Sequence, residues 1–220
     1  MPEQSDAPPT GSPGTEGVRE RHYRETHRRI HLAALALAER DGLHRMTTAQ
    51  IAADAGISRR TFFRYFSCKE QAVLPGHRRY LDALAEIPLP QPGSADPADP
   101  ADIVAIIDAV GDQVLSFEGD PELTVHRRVS ALLHSEPELR AYGAAQDAEI
   151  AERMAERLTG VFPEVSLAEL TLLTEVGITA WRHGWIRWSA QAEAPGAETP
   201  TESHRATRAA LRRAFCGGTA

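Results

Sequence analysis

Arg59, Arg60 and Arg64 fall within one short stretch, ISRRTFFRYF, residues 57–66. A guanidinium offers a planar fork of N–H donors and no acceptor, which suits the O6 and N7 edge of guanine. On a helix turning about 100° per residue, Phe62 and Phe66 share one face. Arg60 and Arg64 lie on the opposite face, flanked by Thr61 and Phe63. This spacing predicts a rod anchored by two rings with its donors turned outward. Phe63 on the donor side does not serve solvation, and it suits contact with a sugar or a thymine methyl. Thr48, Thr61, Tyr65 and Lys69, the chain's single lysine, suit phosphate oxygens, which set register without reading sequence.

Such side chains need a rigid mount. Thr48 can cap a short helix running through Ala55, Ala55-Gly56-Ile57 makes a tight turn, and Ser58 caps the next helix through about Phe66. Two short helices joined by a three-residue turn form a helix-turn-helix unit. Ile51, Ala55 and Ile57 supply the apolar contacts between them, and Ala52 is small where they cross. Gly56 can take the left-handed conformation that the turn requires. A helix over about 19–41 precedes the unit, with Ile30, Leu32, Leu35, Ala36 and Ala38 as its buried stripe. A fourth helix follows to about Glu86, and Pro75-Gly76 should kink or split it because proline removes a backbone donor.

The rest of the chain reads as further helices at about 101–117, 121–134, 137–159, 166–189 and 202–215, with Ser166 and Glu169 as a capping box. Residues 1–17 are too poor in apolar side chains to bury a core and should be disordered. PLPQPGSADPADP, residues 88–100, is a loop, and a second covers 191–201. The fold class is therefore all-α. The expected organisation is a tail over 1–18, a DNA-binding domain over 19–70 and a larger helical domain over 71–220. Charge follows the same division. The chain carries a net −7, but residues 17–79 carry +7 and the remainder −14. A basic module on an acidic body concentrates attraction for phosphate at one end.

With TTAQIAADAG, GISRRTFFRYF and SCKEQAV in order, residues 24–86 resemble the TetR family of regulators, in particular actinobacterial-style members with an RRTFFRYF recognition helix. The resemblance implies a three-helix DNA-binding head, a helical ligand-binding core and a homodimer formed by the last two helices. By matching positions it implies DNA contacts at Thr48, Ser58, Arg59, Arg60, Thr61, Phe63, Arg64, Tyr65 and Lys69. Phe63 stands where family members often carry tyrosine, which removes a hydroxyl from that position. Pro75 also departs from the pattern, in the helix that relays ligand binding to the head. HRRVSALLHSEPELRAYGAAQDAEIAERMAERL, residues 126–158, is similar to the C-terminal domain of members that take acyl-CoA-like ligands.

The body's apolar stripes, such as Ile103, Ile106, Ile107, Val110 and Val114, read first as core. A cavity among them is the default effector site, because pockets form between bundle helices. Trp181, Trp185 and Trp188 recur at i, i+4 and i+7, with Gly177 and Gly184 beside them. Together with Ala210, Leu211, Ala214 and Phe215 they read either as half of a four-helix dimer interface or as intrachain packing. Arg127 and Arg128 read as a solvated pair, or as attraction for an anionic ligand head. His27 and His31 stand at i, i+4 but lack a third ligand, so no metal and no cofactor is expected. No P-loop, nucleophile elbow or H-E-x-x-H is present, and no enzyme is expected. Neither a signal peptide nor a membrane-length apolar run is visible, and Cys68 and Cys216 form no framework, so a cytoplasmic protein is expected.

The reading is a homodimeric repressor that binds a palindromic operator in double-stranded DNA through residues 47–66, and that a small hydrophobic or acyl-type effector releases. A transcriptional activator of the same fold, and a helical enzyme with an accessory DNA-binding head, are the competing readings. The chain contains no asparagine and its recognition helix no glutamine, so the common amide pairing with adenine is missing there. Guanines are expected opposite Arg60 and Arg64.

Overall fold

The computed structural model describes residues 17–76, 81, 84–85, 88–89, 106–112, 123–191 and 196–216, and among these it contains helices and no strands. Residues 1–16 of the tail expected over 1–18, nearly all of the 88–100 loop and both ends of the 101–117 helix lie outside the described residues. The helices are α1 (Val18–Asp41), α2 (Thr48–Asp54), α3 (Arg59–Tyr65), α4 (Lys69–Val73), α5 (Leu123–Ser135), α6 (Pro137–Leu158), α7 (Leu167–Ser189) and α8 (Pro200–Cys216). A further helical stretch covers 106–112.

α1 buries Ile30, Ala34, Leu35, Leu37 and Ala38. The buried stripe thus passes through Ala34 and Leu37, while Ala36 is exposed, as the 3.6-residue turn demands once Ile30 faces inward. Gly42 ends the helix at φ +80°, and its amide donates to the Ala38 carbonyl. α2 is capped by Thr47, one residue before the expected Thr48. The Thr47 hydroxyl accepts from the Gln50 amide at 3.2 Å, and the Gln50 side chain accepts from the Thr47 amide at 2.9 Å. Two orphan donors are satisfied reciprocally, which Thr48 could not achieve without a Glu or Gln three residues on. At the start of α7, Ser166 accepts from the Glu169 amide.

α4 is five residues long and stops before Leu74-Pro75, with helical backbone resuming at Gly76. The break expected at Pro75 is present. Its cost is offset by Leu74, whose side chain lies 3.3 Å from where a Cβ on Gly143 of α6 would stand. Glycine at 143 therefore lets the connector sit close against the body.

One core cluster joins the helix-turn-helix to the body. Ile30, Leu35, Ile51, Phe62, Phe66 and Val73 pack in the same cluster as Val129 and Leu132 of α5 and Leu139 of α6. At its edge, Arg128 of α5 donates from two nitrogens to both carboxylate oxygens of Glu39 on α1, at 2.8 and 2.6 Å. The pair is a clasp between head and body, not a solvated charge. The hydrogen bonds from Arg128 hold the Glu39 carboxyl below its ordinary value against a smaller opposing effect of burial. Its contribution is accordingly present above the usual carboxylate range and fades as pH falls through the lowered value. Both side chains are about a third exposed, 34% and 36%, so solvent screens the pair. Arg128→Glu should lower stability by about 1 kcal/mol, and adding Glu39→Arg should restore most of it. Urea unfolding of the two single variants and the double variant checks this; simple additivity would exclude the clasp.

The second cluster centres on α6 and α7, with Ile150, Met154, Leu158, Phe162, Leu170 and Ile178 at its heart and Ile107 and Val110 packed in from the 106–112 stretch. Arg208 and Arg212 of α8 fasten that stretch. Arg208 donates to the Asp112 carboxylate at 2.8 Å, and Arg212 pairs with Asp108.

The tryptophans pack within the chain. Trp181 stacks on His204 of α8 with 4.4 Å between ring centroids, and Trp185 stacks on His126 of α5 at 4.6 Å. Trp188 is 3% exposed beneath the Arg127 guanidinium, which lies 4.3 Å from the ring centroid and donates to the Ser189 and Gln191 carbonyls. Of the two sequence readings of these rings, intrachain packing describes what they touch, and Arg127 is likewise a structural member of α5. Gly184 explains the close approach of α8: an added Cβ would stand 2.1 Å from the His204 ring. The side chain of Phe215 lies outside the described residues.

Candidate nucleic-acid interface

α3 is positioned from three sides. Phe62 is fully buried and Phe66 is 2% exposed, so the predicted anchoring rings face the core. Ser58 caps the helix, accepting from the Thr61 amide at 3.0 Å, and its hydroxyl also meets the Thr61 hydroxyl at 2.8 Å. Before the cap, Gly56 adopts φ +64° and no heavy atom lies within 4 Å of an added Cβ, so its backbone conformation and not crowding calls for glycine there.

With the inner face held, Arg59, Arg60, Phe63 and Arg64 are exposed together. Phe63 is 50% exposed, an unusual state for a phenyl ring on so short a helix. It packs edge-on against Phe62 at 5.3 Å, and the Arg59 guanidinium lies 5.9 Å from its ring centroid. The ring therefore stiffens one arginine while leaving an apolar surface beside the other two. Ser58 is exposed, whereas Thr48 and Thr61 are half-buried.

Two of the residues expected at phosphate are engaged within the fold. Tyr65 is 8% exposed and stacks on Tyr23 of α1 with centroids 4.8 Å apart, so its ring is a packing piece between α3 and α1. Lys69 is half-buried, and its ammonium donates to the Leu43 carbonyl at 2.7 Å, tying the start of α4 to the loop after α1. An ammonium has three donors, so this bond does not exhaust it. Sequence reasoning could not find either contact, because both partners come from α1 and the loop behind it.

His31 also finds its use in the tertiary structure. Its Nδ1 lies 2.8 Å from the Ala72 carbonyl near the end of α4, and the His27 ring packs on Phe66 at 4.5 Å. Both histidines brace α1 against the helices it carries. Among the described residues no group of three metal-ligating side chains occurs.

An exposed set of arginines on a helix of a helix-turn-helix, mounted on buried aromatic rings, is the geometry of a DNA reader. Residues 30–74 match the family model of the bacterial regulatory proteins, tetR family. Residues 30–74 are thus similar to the DNA-binding head of TetR-family regulators. The match covers α2, α3 and α4 in full and α1 from Ile30 onward, and so includes Phe62 and Phe66, the two anchoring rings of the recognition helix. No curated protein matches the chain. Among solved structures, FadR of Thermus thermophilus, a TetR-family transcriptional repressor in complex with lauroyl-CoA, is similar at 19% identity, with a TM-score of 0.32 over 88% of this chain and 95% of that chain. No helix among the described residues is long and apolar enough to cross a membrane.

Proposed function

We propose that this TetR-family regulator is a homodimeric repressor in which Arg60 and Arg64 read guanines in a palindromic operator, with Arg59, Ser58, Thr48, Thr61 and Lys69 on phosphate and Phe63 against sugar or a thymine methyl. The observation that carries the reading is the joint exposure of Arg59, Arg60, Phe63 and Arg64 on a helix whose other face is sealed by Phe62. Two such helices enter successive major grooves about 34–36 Å apart. The head spans 19–70 and the body 71–220. Leu172, 59% exposed on α7, with half-buried Val176 on α7 and Leu211 on α8, leaves an apolar strip that suits the second copy.

A small hydrophobic or acyl-type effector binds the body and favours a conformation in which the two heads no longer span one site. It acts only through its differential affinity for the two conformations. The effector class rests on the resemblance of residues 126–158. The path from body to head is a physical one, since α5 and α6 share a core with the recognition helix and Arg128 clasps α1.

Selection of bound fragments from a random duplex pool, followed by gel shift on the recovered sequences and on the DNA upstream of the protein's own gene, tests DNA reading; a reporter separates repression from activation. Arg60→Ala should weaken operator binding by about 1–3 kcal/mol and relax preference at one base pair per half-site, without changing the unfolding midpoint. Recovery of half-sites built solely of A·T pairs would refute the assignment.

A further inference from the structure

α1 begins at Val18, twelve residues before the tetR-family match begins at residue 30. At about 1.5 Å per residue this outer half extends the helix by about 18 Å. It reads VRERHYRETHRR and carries five arginines against two glutamates. Arg19, Arg21, Arg24, Arg28 and Arg29 are all exposed. The segment is nevertheless held in place. Thr26 is 4% exposed, Tyr23 stacks on Tyr65 at the end of the recognition helix, and His27 packs on Phe66.

On a 100° wheel, Arg19 lies within about 40° of Tyr23 and one turn further out, in line with the end of α3. Arg24 and Arg29 stand about 100° and 120° from Tyr23 on its two sides, and Glu25 about 160° away. Arg19 and Arg21 occupy the first turn, where the helix dipole favours acids and disfavours cations. The arrangement of these two first-turn arginines therefore works against the helix dipole. It presents a positive ridge beside the base-reading arginines.

We infer that the outer half of α1 is a second duplex-facing surface, on which Arg19, with Arg24 and Arg29, grips the phosphate backbone flanking the bases read by α3. The inference rests on the head binding duplex DNA. Contacts to phosphate carry no base information but release counterions, so their signature is a salt dependence that is independent of sequence.

Binding of the full-length protein to the selected operator duplex and to a random-sequence duplex of the same length, across a salt series, tests it. Arg19→Ala should lower the slope of log affinity against log salt by about 0.9 per lost contact, about 1.8 for a dimer, and the triple Arg19→Ala/Arg24→Ala/Arg29→Ala variant by up to about three times that. Both duplexes should lose affinity by the same factor, base preference should stay as in wild type, and hydroxyl-radical protection should shrink at the site's flanks. Alanine is the best helix former, so circular dichroism should show α1 intact, and the triple lysine variant should recover the slope. Wild-type slope, affinity and protection in the triple variant would overturn the inference while leaving DNA binding by the head in place. Loss of slope that lysine does not rescue would overturn it as well. Failure of the wild type to bind any duplex would overturn both readings.

Discussion

Phe62→Ala should cost about 3–5 kcal/mol, a large share of the 5–15 kcal/mol by which domains are typically stable. Phe62 is fully buried, and its ring meets both Phe63 and Phe66. It belongs to the cluster that joins α1, α2, α3 and α4 to α5 and α6. Truncation leaves a cavity under a helix of seven residues, too short to persist without its tertiary contacts. Operator binding should fall with the fraction of folded head, and both should recover together on addition of a stabilising osmolyte. Phe63→Ala provides the contrast: half exposed and on the outer face, it should change stability by less than about 0.5 kcal/mol while weakening DNA binding. Chemical unfolding followed by tryptophan fluorescence and by far-UV circular dichroism reads both variants. A loss below about 1 kcal/mol for Phe62→Ala would mean that the ring does not carry the recognition helix.

Acidification should weaken the body, with His204 as the principal cause. His204 is 1% exposed, its ring is stacked on Trp181 and edge-on to Trp185, and Nε2 has no hydrogen-bond partner among the described residues. Burial lowers its pKa to about 4; the Arg208 cation adds to the effect and the Asp112 carboxylate opposes it. A histidine depressed in this way is neutral when folded and protonated when unfolded, between its folded value and the ordinary one near 6.5. The unfolded chain binds more protons there, so stability is fully present above about pH 6.5 and is lost as pH falls towards 4. The loss amounts to about 3 kcal/mol at most. His204→Phe keeps an aromatic ring against Trp181 and removes the titration, so its urea midpoint should be nearly flat over this range. Acid loss identical to wild type in His204→Phe would assign the effect to other groups.

The two residues belong to different parts of the molecule, and they were legible to different degrees. Phe62 could be assigned to the inside from its spacing to Phe66, because a helical wheel needs only the helix itself. The same wheel put Arg60, Phe63 and Arg64 outside, and their exposure agrees. It also puts Tyr65 about 60° from Phe62, on the inner side, but could not name the ring that covers it, since Tyr23 comes from a helix more than forty residues earlier. Thr47 took the cap from Thr48 because a capping box needs the right partner three residues on, and Gln50 fits only the earlier residue.

In the body, the helix periods were readable but the partners were not. The i, i+4, i+7 tryptophans suit an interface between copies and an interface within the chain equally well. His126 and His204, which occupy two of their faces, stand 59 and 19 residues away from Trp185 in sequence. Arg128 reads from the sequence as half of a solvated pair, but Glu39, 89 residues distant, lies opposite it.

What the chain's own order of residues determined is everything that acts within about one helical turn: the helices, their caps at Ser58 and Ser166, the glycine turn at 56, and the side of α3 that bears arginine. What only the tertiary structure decided is every pairing between helices, from the ring over Tyr65 to the clasp on α1. Local periodicity dictates which face of a helix seeks burial. Which distant face receives it depends on shape and charge matching across the whole fold.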